Sequence, residues 1–221
     1  MTQDHTLKSF DQDLDELRQL LGDLATWVTD ELEQAILALI SGNGAAAAEV
    51  IERDATADAL QLQIQKAAVN ILVRHQPVAI DLREVVATER MAGDLERVGD
   101  HAKNIAKRTI ALGAPVPEAH AASVERFGRD VERMLHKVLD ALSKRDAVAA
   151  HRAWSDDEPL DEAHADLFMV LLNAMQDGRT SVLVGTHLLF VAKSLERIGD
   201  HATNVAEDIR FMVTGQITPP R

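Results

Sequence analysis

Ten residues occur almost unchanged at two places: LERVGDHAKN at Leu95–Asn104 and LERIGDHATN at Leu195–Asn204. Extended to Ala106 and Ala206, nine of twelve positions are identical, while Val98/Ile198 and Ile105/Val205 exchange one branched aliphatic residue for another. A second echo lies upstream of each copy. ERDATADAL carries Asp54 and Asp58, and SDDEPLDEA carries Asp157 and Asp161, both as Asp-x-x-x-Asp. Two ordered motifs, each present twice, point to duplication of one supersecondary unit, and any fold for this chain has to place both copies equivalently.

The unit is helical. Leu14, Leu17, Leu21, Leu24, Val28, Leu32, Ile36 and Leu39 form one seam at a spacing of three and four. Gly, Pro or capping residues interrupt such seams at SGNGA (41–45), HQPVA (75–79), GAPVPEA (113–119), SKRDA (143–147) and DGRTS (177–181). Six helices are predicted, near 6–41, 44–75, 78–112, 118–143, 147–177 and 180–214. The expected fold is all-α, with two tandem pseudo-symmetric three-helix bundles, residues 1–113 and 118–215, joined at GAPVP. Aromatics are 3% of the chain and Tyr is absent, whereas Ala, Leu, Glu and Arg abound, which favours helices over strands.

Within each repeat the carboxylates fall on one face. At about 100° per residue, Glu96 and Asp100 lie one turn apart with Asn104 a turn beyond, and Leu95, Val98, Ala102 and Ile105 form the opposite, core-facing stripe. Asp54 and Asp58 repeat the arrangement on the preceding helix. Residues 58 and 96 lie equally far from the turn at 75–79, so an antiparallel hairpin brings the two pairs level. Asp157 and Asp161 should meet Glu196 and Asp200 in the same way. One acidic pair four residues apart is ordinarily a solvated face, its repulsion costing only a few tenths of a kcal/mol. Four pairs in two superimposable sets point instead to metal binding. Oxygen donors without thiolate suit hard ions such as Mg²⁺, Mn²⁺, Ca²⁺ or iron, singly or as a cluster.

Arg97 and Arg197 are placed to orient these carboxylates, and His101, His201, Asn104 and Asn204 are possible ligands or supporting donors. Gly99 and Gly199 interrupt good helices, so a close helix approach is expected at both. Pro159, between Asp157 and Asp161, removes a helical N–H; the fifth helix should start or kink there, distorting the second site.

Composition limits the partners. A net charge of −13 disfavours nucleic acid and bare anionic membrane. The longest apolar-looking stretch, Ser181 to Ala192, is too short to span a bilayer. No Cys is present, so thiolate chemistry is excluded, and the start of the chain does not read as a signal peptide. A cytoplasmic protein is expected. Di-iron oxidase chemistry in a bundle uses Glu-x-x-His pairs, and no Glu here has His three places later. In HAKN and HATN, Ala102 and Ala202 stand where a histidine-kinase box has its acidic residue.

RHQPVAIDLR (Arg74–Arg83), the two Leu-Glu-Arg-x-Gly-Asp-His-Ala-x-Asn segments and the two Asp-x-x-x-Asp segments together resemble the PhoU family of phosphate-uptake regulators over essentially the whole chain. The resemblance implies paired three-helix bundles with acidic metal-binding faces, and the ligand set Asp54, Asp58, Glu96 and Asp100 with Asp157, Asp161, Glu196 and Asp200. It implies a non-catalytic negative regulator of phosphate uptake and starvation signalling. Such an adaptor links the phosphate ABC transporter ATPase to the phosphate-sensing histidine kinase, lies peripheral to the inner membrane through those partners, and is expected to form a homodimer. A generic metal-storage bundle is the alternative.

Overall fold

The structure is a computed structural model that describes residues 2–155 and 157–217, with side chains described for 8–155 and 159–217. Every element in the described residues is helical: α1 (Thr2–Ser41), α2 (Gly44–His75), α3 (Ala79–Leu112), α4 (Glu118–Lys144), α5 (Ala147–Ser155), α6 (Asp157–Gln176) and α7 (Val182–Thr214). The stretch expected as the fifth helix is helical over α5 and α6; residue 156 between them lies outside the described residues, and Pro159 falls within the helical range Asp157–Gln176.

The breaks have the turn chemistry the sequence announces. Asn43 caps α2, its Oδ1 accepting from the N–H groups of Ala45 and Ala46 at 3.1 Å each. Asp146 accepts from Val148 and Ala149 at the start of α5, and Ser181 accepts from Val184 at the start of α7. Gly113 and Gly215 end α3 and α7 in the left-handed conformation, with φ of 63° and 75°. Gly42, φ 67°, packs directly under the Ala114–Pro115 backbone, so the connection between the halves lies across the α1–α2 turn.

Burial reproduces the duplication residue by residue. Shifted by 103 positions, buried Leu21, Leu24, Val28, Leu32, Ala35 and Ala38 of α1 match buried Val124, Phe127, Val131, Leu135, Val138 and Ala141 of α4. Shifted by 100, Met91, Ala92, Leu95, Val98, Ala102, Ile105 and Ala106 of α3 match Val191, Ala192, Leu195, Ile198, Ala202, Val205 and Ala206 of α7, again all buried. The offset changes at the hairpin turns, where the second half is three residues shorter. Helices α1–α3 pack on one another, as do α4–α7, and α3 against α7 is the most extensive pairing between the halves. One continuous apolar core runs through both bundles.

The α3–α7 pairing is antiparallel. Arg90 reaches Asp208 at 3.6 Å at one end, Arg108 stacks over Phe190 at 4.4 Å at the other, and His101 stacks on His201 at the centre with ring centroids 5.7 Å apart. Under the 100-residue shift, the 90–208 pair becomes 190–108. A pseudo-two-fold axis therefore passes between the two histidines.

Candidate functional site

The hairpin α2–α3 brings the first carboxylate set together. A Cβ placed on Gly99 would meet the Ala57 Cβ at 3.6 Å, so the α3 turn Glu96–Asp100 lies level with the α2 turn Asp54–Asp58. Asp58 is exposed, Glu96 and Asp100 are half-buried, and Asp54 is buried, 5% exposed. The expectation that all four project away from the core is corrected for Asp54, whose carboxylate faces inward under α3. A buried carboxylate needs a partner. Lys103 supplies it: its ammonium bonds Asp54 on α2 and Asp100 on its own helix, the latter at 3.0 Å. Burial works against this charge, but the bonds from the two carboxylates outweigh it and hold the lysine's pKa above its ordinary value. Arg97 lies 3.2 Å from Asp100 and 3.6 Å from Glu96. Burial raises the Glu96 pKa, and Asp100, Asp58 and Asp54 add to the rise.

A fifth carboxylate, which the sequence reading missed, belongs to this set. Glu31 on α1 is 1% exposed and faces Gly99, where an added Cβ would lie 3.1 Å from its Oε2. Oε1 accepts from the Trp27 indole at 3.1 Å, while Oε2 is buried without a hydrogen-bond partner. Burial, reinforced by Asp54, lifts the Glu31 pKa to about 7. The sign was legible after all. Glu31 stands three residues after Val28 and seven after Leu24, on an apolar seam, and the matching position in the second half is Met134, buried at 2%.

The second set is built differently. Gly199 faces Leu160 of α6 at 3.6 Å, the counterpart of Gly99 and Ala57, so the register is kept. The Asp157 side chain lies outside the described residues, and Asp161 is exposed. Glu196 pairs with Lys193 at 2.7 Å, and Arg197 reaches Glu196 at 3.7 Å and Asp200 at 3.1 Å. These contacts stay within α7, whereas Lys103 ties α3 to α2. Among the described residues, no three His, Asp or Glu side chains converge as a ready ligand set; the lysines and arginines draw the carboxylates to themselves.

His101, His201 and Asn204 of the motif lie at the junction of the halves. His201 Nδ1 lies 2.8 Å from Asp94, and the Asn204 amide donates to the same carboxylate oxygen at 2.9 Å. His101 is half-buried, its Nδ1 without a partner, and burial with the neighbouring His201 depresses its pKa. Asn104 is half-buried. Burial pushes Asp208 up to about 6 despite the nearby Arg90. A cavity of about 600 Å³ lies apart from both carboxylate sets, where Leu21 and Ala25 of α1 face Leu139 and Leu142 of α4. On its wall buried Glu84 accepts from Arg18 at 2.7 and 3.0 Å and pairs with Arg145, so these charges are satisfied by one another. His120, without a motif in the sequence, is buried against the Thr180 hydroxyl at 2.6 Å and pins the α6–α7 turn.

A duplicated three-helix unit with acidic faces in register and its repeated motifs back to back on a pseudo-two-fold defines a class. The PhoU domain matches this chain twice, at residues 21–109 and 124–209, and the chain belongs to the PhoU family. It is 39% identical over 217 residues to a protein of Zymomonas mobilis named phosphate-specific transport system accessory protein PhoU homolog, covering 98% of this chain and 92% of that one. A protein of the same name from Caulobacter vibrioides is 40% identical over 214 residues, covering 96% and 93%. The crystal structure of PhoU from Pseudomonas aeruginosa superposes with a TM-score of 0.90 at 31% identity, covering 94% of this chain and all of that one. That of the phosphate transport system regulatory protein PhoU from Streptococcus pneumoniae gives 0.87 at 28%, covering 96% and 100%.

Proposed function

We propose that this protein is a non-catalytic regulatory adaptor of the phosphate-specific transport system, repressing phosphate-starvation signalling when phosphate is abundant. The observation that carries the reading is the near-full-length match to relatives named as accessory proteins of that system. Its partners in this reading are the transporter ATPase and the phosphate-sensing histidine kinase, which hold it at the inner membrane while it acts as a homodimer. No helix among the described residues is long and apolar enough to cross a membrane, in keeping with attachment through proteins.

Metal binding belongs to the same reading. Asp54, Asp58, Glu96 and Asp100 would hold one ion or cluster, and Asp157, Asp161, Glu196 and Asp200 another, with Mg²⁺, Mn²⁺ or iron as the ion. The donor set supports this: hard oxygens, level across a helix pair, with a buried carboxylate oxygen beside them lacking a partner. A bound cation would offset the negative charge of each face and with it the preference for a basic partner surface.

Two experiments test the reading. Deleting the gene should raise starvation-gene expression in abundant phosphate, and pull-down from membranes should recover the kinase or the transporter; an intact response with neither partner recovered leaves the metal-storage bundle as the better description. For the metal, calorimetry on Asp58→Asn with Asp100→Asn should lose one class of Mn²⁺ sites, and an unchanged isotherm removes that assignment.

A further inference from the structure

The two carboxylate faces share a register but not their charges: Lys193 beside Glu196 answers to Gly93, and two further charges belong to the first half. Where α3 has Lys103, α7 has Thr203; where α1 has Glu31, α4 has Met134. Met134 fills its slot in the second half as a core residue, so the fold does not demand a carboxylate there. Glu31 nonetheless sits 99% buried on the face turned to Gly99, with one oxygen unsatisfied and its charge coupled to Asp54 and Lys103. An uncompensated buried oxygen is costly to retain. Lys103, for its part, does what a bridging cation would do: it joins a carboxylate of α2 to one of α3 across the hairpin.

We propose that Lys103 is a resident counter-ion of the first face, occupying the place a metal takes, and that Glu31 is a fifth carboxylate that this face alone offers the incoming ion. The proposal rests on the metal-binding reading above. Metal entering the first face has to displace the Lys103 ammonium, which has a solvent path because its side chain is 22% exposed. Once the ion is in place, Glu31 Oε2 gains a cation to face. The first face then behaves as an exchange between an internal and an external cation, and the second, whose Lys193 pairs with Glu196 of its own helix among the described residues, does not.

Mn²⁺ titration by calorimetry on the full chain tests this with three variants. Lys103→Met keeps the aliphatic stem and removes the competitor, so affinity at one class of sites should rise at least tenfold, about 1.4 kcal/mol. Glu31→Gln keeps the Trp27 hydrogen bond and should weaken the same class at least threefold. Asp58→Asn with Asp100→Asn should abolish that class. If the double variant abolishes it while Lys103→Met and Glu31→Gln bind as the parent does, this proposal fails and the metal reading stands. If the double variant binds like the parent, the metal reading itself fails. Should Lys103→Met not fold without metal, the parent protein decides: ¹⁵N signals of lysine ammonium groups, followed during Mg²⁺ addition, should show the Lys103 bond released. An ammonium still bonded at saturation overturns the proposal.

Discussion

Glu31→Gln separates the cost of Glu31 to the metal-free fold from its use. Burial, then the nearby Asp54 carboxylate, lift its pKa from 4.5 to about 7, while the Trp27 hydrogen bond and the charges of Arg53 and Lys103 hold it back. A folded pKa above the unfolded one in an acid means that the folded state holds its proton more tightly. The penalty is therefore absent below about pH 4.5, grows between 4.5 and 7, and is complete above 7. At ~1.4 kcal/mol per tenfold change in proton affinity, the full penalty is roughly 3 kcal/mol, and local relaxation brings the working range to about 1–3 kcal/mol. Gln removes the charge and keeps an oxygen for the Trp27 N–H. In chelator at pH 8 the variant should melt higher by about 2–10 °C for a chain of this size, with the gain shrinking towards zero near pH 5. Thermal melts of parent and variant from pH 5 to 8.5 measure it. A pH-independent difference, or none at pH 8, refutes the placement of an ionisable Glu31 in an apolar slot. The same substitution should weaken metal binding, so a residue that costs the empty fold stability would be retained for what it binds.

Other substitutions probe the packing. Gly99→Ala should destabilise by about 0.5–2 kcal/mol, because its methyl would sit 3.1 Å from Glu31 Oε2 and 3.4 Å from Val28. Gly199→Ala, whose methyl meets Leu160 alone among the described residues, at 3.6 Å, should instead gain up to about 1 kcal/mol from helix propensity, and paired urea titrations read the opposite signs. Gly42→Ala, at positive φ and against the Ala114–Pro115 backbone, should cost more than about 2 kcal/mol by the same measurement. Burial alone would raise the Glu84 pKa, but its bonds to Arg18 and Arg145 hold it below the ordinary value. Its stabilising effect is therefore present above about pH 4.5 and lost as pH falls through the lower folded value; Glu84→Gln should lower the melting temperature at pH 7 and converge with the parent in acid.

Helix positions, capping turns and the duplicated core were legible because each is written locally. A seam at three-and-four spacing, an Asn or Ser before it and a Gly after it need no tertiary information. The hairpin register was legible too, since equal distances from a turn leave two antiparallel helices little choice. What escaped was set by packing between helices. Asp54 reads as one of a solvated pair until Lys103 reaches across from α3, and Gly99 and Gly199 read as equivalents until Glu31 is found against only one of them. His101 and His201 read as possible ligands until the halves are folded back to back, when they become the stacked pair on the axis. No periodicity within a single helix encodes an antiparallel crossing of α3 and α7.

Joining the two copies in one chain allows what a symmetric pair of identical units cannot have, namely different residues at equivalent places about the axis. Asp94, which receives His201 and Asn204, has Ser194 as its counterpart, so the polar clasp between the halves has its carboxylate on one side only. Lys103 answers to Thr203 and Glu31 to Met134: the first face carries a lysine bridging two helices and a buried carboxylate behind it, and the second has neither of these residues. In the second hairpin, among the described residues, Lys193 pairs with Glu196 of its own helix. The shared core sets are apolar in both halves, so selection for folding explains the likeness of the copies and leaves these charged differences unexplained. They lie on the carboxylate face and at the junction of α3 with α7. A protein required only to be stable has no use for a half-satisfied carboxylate there; under the proposed metal reading, a face that takes up a cation does.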